Sequence, residues 1–229
     1  GSMSVALTVN NPDTTMAEKT LDVTLADAEG NTVATQSVNY NGNDNQTMNV
    51  NLSSLSGLKP WSAENPYLYT VIVSQKGSDG QEEMVFSTKY GFRTIKQLDN
   101  LVYINNKRAF FKGVNTQDTH PEYGRAIDTS TMLRDVELMK QANVNTVRTS
   151  HYPRQPKMYA MFDAYGLYVM DEADVECHYK GTSVSSNPNF QTAMNDRTTS
   201  MVKRDRNHPS VIFWSLGNEC GAGTNFAQT

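Results

Sequence analysis

Ionisable and polar residues follow each of four short apolar segments in the second half of this chain. They are Asn115, Gln117, Asp118 and His120 after the first segment, Arg148, Ser150, His151 and Tyr152 after the second, Asp171, Glu172, Asp174, Glu176 and His178 after the third, and Asn218 and Glu219 after the fourth. If the segments are parallel strands, their carboxyl ends meet at one edge of a sheet, and these side chains belong to one site.

Glu219 is the first candidate for acid/base chemistry. It follows an apolar run, where partial removal from water would raise the pKa of its carboxyl and suit a general acid. The alternative is a structural glutamate that caps the loop. Arg148 and His151 end another apolar segment, where a charged group is costly unless it meets a ligand or a partner.

The sequence Glu176-Cys177-His178 is a candidate metal site. Alternate residues of an extended segment point to the same side, so Glu176 and His178 could share an ion, with Glu219 as a third ligand. Oxygen ligands with a single imidazole suit Mg²⁺ or Mn²⁺ better than zinc. Glu-x-His alone is a weak pattern, however, and most such pairs are only polar surface residues. Cys177 and Cys220 each follow a candidate ligand, and we interpret any closeness of their thiols as packing rather than as a redox pair.

Predicted helices alternate with the four apolar segments. They cover residues 128–142, 155–165 and 190–205, with Asp128 as an N-cap and Gly166 as a stop signal. The predicted strands are 110–114, 145–148, 167–170 and 211–214. Strands this apolar are typical of a parallel sheet covered by helices. Part of an α/β barrel or an open doubly wound sheet fits this pattern, and the lack of a glycine-rich phosphate loop after the first strand disfavours nucleotide binding.

The first ninety residues contain no histidine, cysteine or arginine, which indicates a separate domain without the chemistry. Short strands of alternating polarity are predicted here, together with a polar loop over residues 41–49. The predicted strands are 21–25, 32–35, 49–52, 67–73 and 83–86. Their length and spacing predict an antiparallel β-sandwich that supports the second half.

Composition excludes several functional classes. The chain has 20 Lys and Arg against 24 Asp and Glu, a net charge of −4, and so lacks the basic footprint that nucleic acids or anionic membranes need. No apolar run approaches the ~20 residues that span a bilayer, which predicts a soluble protein. Gly1-Ser2 before Met3 is interpreted as an expression scar, and without a recognisable signal peptide the compartment is not predicted. Two cysteines without Cys-x-x-Cys spacing predict no disulfide scaffold.

Several ordered motifs resemble glycoside hydrolase family 2 and, among its members, the bacterial β-galactosidases. These motifs are residues 61–69, 90–93, 111–115, 149–153, 171–178, 206–210 and 215–219. The resemblance implies an immunoglobulin-like β-sandwich over residues 1–94 and the first half of a (β/α)8 TIM barrel over residues 95–229. It also implies hydrolysis of terminal non-reducing β-D-galactosyl residues, so the expected partner is a β-galactoside and neither a nucleic acid nor a membrane.

The resemblance also implies roles for individual residues. Glu219 matches the general acid/base, Asn218 the residue that hydrogen-bonds the sugar 2-hydroxyl, His151 a contact to the galactosyl unit and Arg148 an arginine of the site floor. Mg²⁺ is implied at Glu176, His178 and Glu219. Gln117 stands where the best-known β-galactosidases have a histidine that touches the sugar, so the sugar contact there is expected to differ.

The family's nucleophile is a glutamate on a later barrel strand. The chain is therefore expected to be a fragment that is inactive alone, and its half barrel is expected to self-associate through uncovered edges. Three alternatives stay open: another family 2 glycosidase of the β-glucuronidase or β-mannosidase type, a non-catalytic carbohydrate-binding scaffold, and a metal-dependent hydrolase that uses Glu176, His178 and Glu219 with Cys177 or His208.

Overall fold

The structure of the chain is a computed structural model that describes residues 1–12, 18–77, 79–178 and 182–228. The chain forms two compact units. The first consists of Gly1–Lys59 and Tyr67–Phe92, and the second of Pro60–Pro66 and the chain from Arg93 onward. The domain bounds predicted from the sequence, 1–94 and 95–229, lie close to this division but do not separate Pro60–Pro66 from the first unit.

The first unit is a β-sandwich, which confirms the predicted fold. Its strands are β1 (Met3–Val9), β2 (Lys19–Ala26), β3 (Thr32–Tyr40), β4 (Gln46–Leu52), β5 (Tyr69–Lys76) and β6 (Glu82–Tyr90). β1 and β4 form one antiparallel sheet, and the other is antiparallel in the order β3-β2-β5-β6. Alternate residues of each strand point to one face, so Val23 and Leu25 of β2 share a core with Val50 and Leu52 of β4.

Two details of this unit differ from the sequence-based prediction. β1 was not predicted, and β4 begins at Gln46, inside the predicted polar loop. The alternation of Met48, Val50 and Leu52, all buried, makes this stretch a strand although every second residue is polar.

The second unit contains two sheets. The antiparallel sheet is β7 (Ile95–Leu98), β8 (Leu101–Ile104) and β9 (Lys107–Arg108). The parallel sheet has the order β10-β11-β12-β13, with β10 (Gly113–Asn115), β11 (Thr146–Arg148), β12 (Tyr168–Glu172) and β13 (Val211–Ser215). Its helices are α1 (Thr129–Gln141), α2 (Pro156–Tyr165), α3 (Thr182–Ser185) and α4 (Gln191–Asp205), and short 3₁₀ turns cover Pro188–Phe190 and Thr224–Gln228. Four parallel strands with helical crossovers confirm the predicted partial barrel.

Local sequence signals set the helix ends. Asp128 caps α1, because its carboxylate accepts a 2.8 Å hydrogen bond from the amide of Thr131. This hydrogen bond, together with those from the hydroxyls of Thr131 and Ser130, lowers the pKa of Asp128 to about 2. Gly166 ends α2 with a left-handed φ of 75°, and a Cβ there would lie 2.3 Å from the carbonyl oxygen of Ala63. Only glycine suits both conditions.

The segment Pro60–Pro66 is part of the second unit, although its motif was predicted to belong to the sandwich. Trp61 is fully buried and donates its indole N–H to the carbonyl of Asp163 at 2.8 Å. The Asp163 carboxylate in turn accepts from His208 Nδ1 at 2.6 Å and from the amide of Ser210 at 3.0 Å. His208 therefore has a structural role as a hydrogen-bond partner of Asp163.

The contact with Asp163 also determines the direction in which the pKa of His208 shifts. Burial lowers the pKa of His208, but the hydrogen bond and charge of Asp163 outweigh burial, so that the pKa is raised overall.

No helix in the described ranges is long and apolar enough to cross a membrane.

Candidate active site

Parallel pairing brings the ends of three strands to one edge of the sheet. Arg148, the last residue of β11, pairs in register with Met170 of β12, and Glu172, the last residue of β12, pairs with Ser215, the last residue of β13. Side chains at these ends meet as the sequence pattern predicted. They form a cluster that we call the site floor: Arg148, His151, Glu172, Ser215 and Asn218.

Glu172 is the centre of the site floor. Its side chain is 0% exposed, and both carboxylate oxygens have short partners. Oε2 accepts from Arg148 Nε at 2.6 Å and from Ser215 Oγ at 2.7 Å, while Oε1 accepts from Arg148 Nη2 at 3.0 Å and lies 2.7 Å from His151 Nδ1. A two-pronged guanidinium contact of this kind is among the strongest that a buried carboxylate makes. It compensates the cost of taking the charge out of water.

The hydrogen bonds determine the state of the His151 ring. Since an ionised carboxylate only accepts, Nδ1 of His151 carries a proton and donates it to Glu172. Arg148 Nη2 also lies 3.4 Å from this nitrogen, but a protonated Nδ1 cannot accept from it. In the neutral ring Nε2 is then an acceptor. The peptide bond before His151 is cis.

Asn218 connects the site floor to the next loop. Its Oδ1 accepts from Arg148 Nη2 at 2.9 Å, and its Nδ2 donates to Glu176 Oε2 at 2.9 Å. Because guanidinium only donates and carboxylate only accepts, these contacts fix the amide orientation. The backbone is held as well, since the amide of Asn218 donates to the carbonyl of Val175 at 2.9 Å and its carbonyl accepts from the amide of Cys177 at 3.2 Å.

Glu219 directly follows Asn218 and has a left-handed φ of 53°. Its side chain is exposed, so the partial removal from water expected for it is not present in this chain. Gly217 precedes this pair with a φ of 152°, and a Cβ there would lie 2.3 Å from the carbonyl oxygen of Val175. The loop can approach the segment after β12 this closely only because residue 217 has no side chain.

The three predicted metal ligands are not gathered into one cluster. The amide of His178 donates to Glu176 Oε1 at 2.7 Å, but the His178 ring nitrogen Nδ1 is 3.9 Å from that oxygen and its side chain is 77% exposed. Among the described residues there is no group of three or more His, Cys, Asp or Glu side chains placed to hold an ion. As it stands, the arrangement does not fit Mg²⁺, and the magnesium site stays a prediction.

The ionisation of Glu176 nevertheless suits a cation. Burial acts to raise its pKa, but hydrogen bonds from Asn218 and from the amide of His178, together with the positive charges of His151 and His178 when these rings are protonated, lower the pKa overall. Glu176, His178 and Glu219 are all exposed. We call these three residues the site rim.

Gln117 is exposed and takes no part in the hydrogen bonds given above for the site floor. The loop that carries it is tied to the His151 loop by Arg154, which is 1% exposed. Arg154 donates to the carbonyl oxygens of Thr116 and Ser150. The sugar contact predicted for Gln117 stays a prediction.

Sequence reasoning gave no role to three residues of this site. Glu172 was grouped with the polar residues after the third apolar segment, and Ser215 and Arg154 were not singled out. The available signal was an acidic residue that follows the apolar run 167–170, one strand away from Arg148. Such a carboxylate requires a cation, and Arg148 was the nearest candidate.

The structure corrects the interpretation of the cysteines. Cys177 and Cys220 form a disulfide, with their Cα atoms 4.6 Å apart. The expected packing coincidence is therefore wrong, and the covalent bond joins the loop after β12 to the loop after β13. The described residues include no free cysteine.

Comparison with known proteins then decides the family. Residues 95–229 match the family model "Glycosyl hydrolases family 2, TIM barrel domain", and residues 1–93 match the model "Glycosyl hydrolases family 2". The chain belongs to glycosyl hydrolase family 2. As a family 2 chain, its sandwich and its partial barrel correspond to two successive domains of these enzymes, as the resemblance implied.

Relatives within glycosyl hydrolase family 2 include enzymes named as β-galactosidases and enzymes named as β-glucuronidases. Beta-galactosidase BgaC of Bifidobacterium adolescentis is 40% identical over 98% of this chain and 22% of its own length. A family 2 member from Bacteroides cellulosilyticus has a TM-score of 0.81 at 29% identity, with 95% of this chain and 29% of that one covered. A β-glucuronidase from Ruminococcus gnavus has a TM-score of 0.76 at 28% identity, with 87% and 32% covered. The chain thus spans about a fifth of the length of the curated relative.

Proposed function

We propose that this chain is part of a retaining β-galactosidase that hydrolyses terminal non-reducing β-D-galactosyl residues. The observation that carries the proposal is the pair Asn218 and Glu219 after β13, with the Asn218 side chain fixed between Arg148 and Glu176. The 40% identity to a β-galactosidase over nearly the whole chain supports galactose as the sugar.

Glu219 is assigned the acid/base role. In the first step its carboxyl group protonates the glycosidic oxygen as the bond to the aglycone breaks, and in the second its carboxylate takes a proton from water. Covering of Glu219 by substrate and by the rest of the barrel would favour the protonated form that the first step requires.

The site floor is assigned the binding of the sugar. The amide of Asn218 is held in place to hydrogen-bond the 2-hydroxyl, an interaction that strengthens in the transition state. His151 donates through Nδ1 to Glu172, which leaves Nε2 for a sugar hydroxyl. Gln117 is kept as a further sugar contact.

Glu172 itself is a poor candidate for the nucleophile. A retaining glycosidase needs a second carboxylate about 5 Å from the acid/base. Both oxygens of Glu172 are already engaged by Arg148, His151 and Ser215, which leaves neither free for attack on the sugar. We therefore infer that the nucleophile comes from outside these 229 residues and that the chain alone gives no turnover.

Mg²⁺ is kept as a proposed cofactor of the site rim. When bound, it would supply a positive charge that tunes the acid/base. Glu176 and His178 are the residues expected to hold it, and Glu219 would have to move toward them. No step of the reaction proposed above passes through the ion.

Self-association of the half barrel is proposed as well. β10 and β13 are the two edges of the parallel sheet, and large apolar side chains on or beside them are exposed: Val114 by 39%, Trp214 by 40% and Leu216 by 37%. Such edges pair readily with another chain. Light scattering at micromolar concentration tests this, and a monomer at all concentrations contradicts it.

The test of activity compares two proteins, this chain and a longer one that carries the remaining barrel strands. Each is assayed on nitrophenyl β-D-galactoside, with Glu219→Gln as the matched variant. We expect turnover only from the longer protein, and a loss of about 100-fold or more in Glu219→Gln. Turnover by this chain that Glu219→Gln abolishes contradicts the inference about the nucleophile.

The second candidate function is a β-glucuronidase, which the structural similarity to the Ruminococcus gnavus enzyme favours. The same longer protein is assayed on nitrophenyl β-D-glucuronide. Faster hydrolysis of the glucuronide than of the galactoside overturns the choice of sugar. Binding of galactosides without hydrolysis of either substrate overturns the enzyme and favours the non-catalytic scaffold.

A further inference from the structure

We propose that the Cys177–Cys220 disulfide is a positioning device that holds Glu219 in place for acid/base chemistry, and that a dithiol reductant releases it. The role of Glu219 rests on the proposed function. The covalent link and its effect on the loop do not depend on that role.

The disulfide is anchored in a small core beneath exposed site residues. Cys177 is 7% and Cys220 3% exposed, and they pack with Val175 and Met194 among other apolar residues. The carbonyl of Cys220 also accepts a hydrogen bond from the buried hydroxyl of Ser185. The bond therefore connects a rigid base to the exposed Glu219 that precedes Cys220 in sequence.

Glu219 is fixed from both sides onto the same short stretch of chain. Before it, Asn218 exchanges two backbone hydrogen bonds with Val175 and Cys177, of 2.9 and 3.2 Å. After it, Cys220 is covalently bonded to Cys177. Since the side chain of Glu219 is exposed, these hydrogen bonds and the disulfide hold its backbone rather than its carboxylate.

The backbone of Glu219 needs such control because its φ of 53° is left-handed. A residue with a Cβ adopts this conformation at a cost and keeps it only where its surroundings impose it. The hydrogen bonds of Asn218 hold one side only. With the disulfide cut, Cys220 keeps the hydrogen bond from Ser185 to its carbonyl but loses its covalent link to Cys177. We expect the backbone of Glu219 then to relax toward a negative φ, which moves the carboxylate away from its present place.

The release step is a balanced thiol exchange. A dithiol attacks one sulfur of the disulfide as a thiolate and forms a mixed disulfide with that cysteine. Its second thiol then attacks the mixed disulfide and releases the cysteine as a thiolate. The Cys177–Cys220 bond breaks, both cysteines gain a proton, and the dithiol becomes a cyclic disulfide, so two electrons pass to the protein. Displacement of a catalytic group by about 1 Å costs about 100-fold in rate.

The first test needs no activity. The 229-residue chain is unfolded without reductant and its thiols are titrated, which should detect none, whereas both appear after treatment with dithiothreitol. Hydrogen exchange is then compared before and after reduction of the folded chain. We expect faster exchange at the amides of Cys177 and Asn218, and unchanged exchange at the amide of Val169, which bonds within the sheet to Ser210.

The second test uses the longer protein and two classes of galactoside. A dinitrophenyl aglycone leaves without protonation, whereas an alkyl aglycone requires the acid. Reduction, or the double variant Cys177→Ser with Cys220→Ser, should lower kcat/KM about 100-fold for alkyl galactosides and less than three-fold for dinitrophenyl galactoside. The matched control is Met194→Ala, which loosens the same core but leaves the disulfide, and it should affect both substrates equally.

Each outcome decides the proposal. Free thiols in the untreated chain overturn it, as does exchange that reduction leaves unchanged. Faster hydrogen exchange together with equal losses of kcat/KM on both substrates would show that the disulfide only stabilises the structure, and this overturns its positioning role. If the longer protein hydrolyses no galactoside, the proposed function fails, and the exchange data alone then support or overturn the control of the loop by the disulfide.

Discussion

The site floor and the site rim lie next to each other but are built in opposite ways. In the floor, Glu172 is fully buried and each of its oxygens has two partners. In the rim, Glu176, His178 and Glu219 are exposed, and His178 contacts Glu176 mainly through its backbone. The floor is thus organised by this half of the barrel alone. The positions of the rim side chains depend instead on their backbone, which the hydrogen bonds of Asn218 and the Cys177–Cys220 disulfide hold in place.

The largest effect is expected at the centre of the floor. Glu172→Ala leaves Arg148 partly buried without its counter-charge, and we expect a loss of about 3 kcal/mol in the free energy of unfolding. Urea unfolding followed by tryptophan fluorescence measures it, since Trp61 and Trp214 both belong to this unit. Glu176→Ala in the rim is the control and should cost less than about 0.5 kcal/mol. Equal losses would show that floor and rim do not differ.

A second buried carboxylate on the same strand sharpens the comparison, because a hydroxyl and another carboxyl group lie against it, and the charge of Arg204 opposes the rise of its pKa only weakly. Burial raises the pKa of Asp171 to about 7, with a further contribution from Asp205, although the Tyr159 hydroxyl donates to it at 2.5 Å and opposes the rise. A raised carboxyl pKa stabilises the fold fully below the unfolded value near 3.8, and this contribution is lost as the pH rises through 7.

We therefore expect Asp171→Asn to abolish this loss of stability at high pH. The variant should match the wild type at pH 4 and exceed its free energy of unfolding by about 2 kcal/mol at pH 8. Urea unfolding at a series of pH values provides the measurement. Asp174→Asn, at an exposed position two residues beyond the strand, should follow the wild-type curve. A variant curve parallel to the wild type would mean that Asp171 is ionised in the fold.

Asn218 links floor and rim, so its removal should have an intermediate effect. Asn218→Ala takes away the acceptor for Arg148 and the donor for Glu176, and we expect a loss of about 1 kcal/mol in the free energy of unfolding. It should also shift the pKa of Glu176 upward, since the Asn218 hydrogen bond helps to lower it. Carboxyl titration by NMR measures this shift. An unchanged titration would disconnect the two regions.

The smallest effect on stability is expected at the rim. His178→Ala removes a side chain that is 77% exposed and should change the free energy of unfolding by less than about 0.5 kcal/mol. If the proposed cation site forms, the same variant weakens binding of Mn²⁺, a paramagnetic substitute for Mg²⁺, by ten-fold or more. Calorimetric titration tests this, and equal Mn²⁺ affinity in both proteins removes His178 from the ligand set.

Local signals in the sequence were enough to predict much of the second unit. Asp128 and Gly166 marked helix ends because capping and left-handed φ depend on residues close by in the chain. The polar residues after each strand predicted the site edge for the same reason, since parallel strands place their ends together. β7, β8 and β9 were missed because their short segments have no clear period.

Contacts between distant residues were beyond such signals. The pairing of Arg148 with Glu172 depends on the register of β11 with β12, and the disulfide depends on how closely two loops approach. Both are set by packing of the whole unit rather than by neighbouring residues. The exposure of Glu219 likewise follows from the loop path, which the apolar run before it does not determine.

The place of Trp61 has a consequence for how such chains can be recombined. The indole fills a site beneath Asp163 in the second unit, yet it lies in a segment inserted between two strands of the sandwich sequence. A hybrid of two relatives joined at residue 93 therefore places the tryptophan of one parent against the barrel of the other. The inherited structural module is discontinuous, and an exchange preserves it only when residues 60–66 come from the same parent as the barrel.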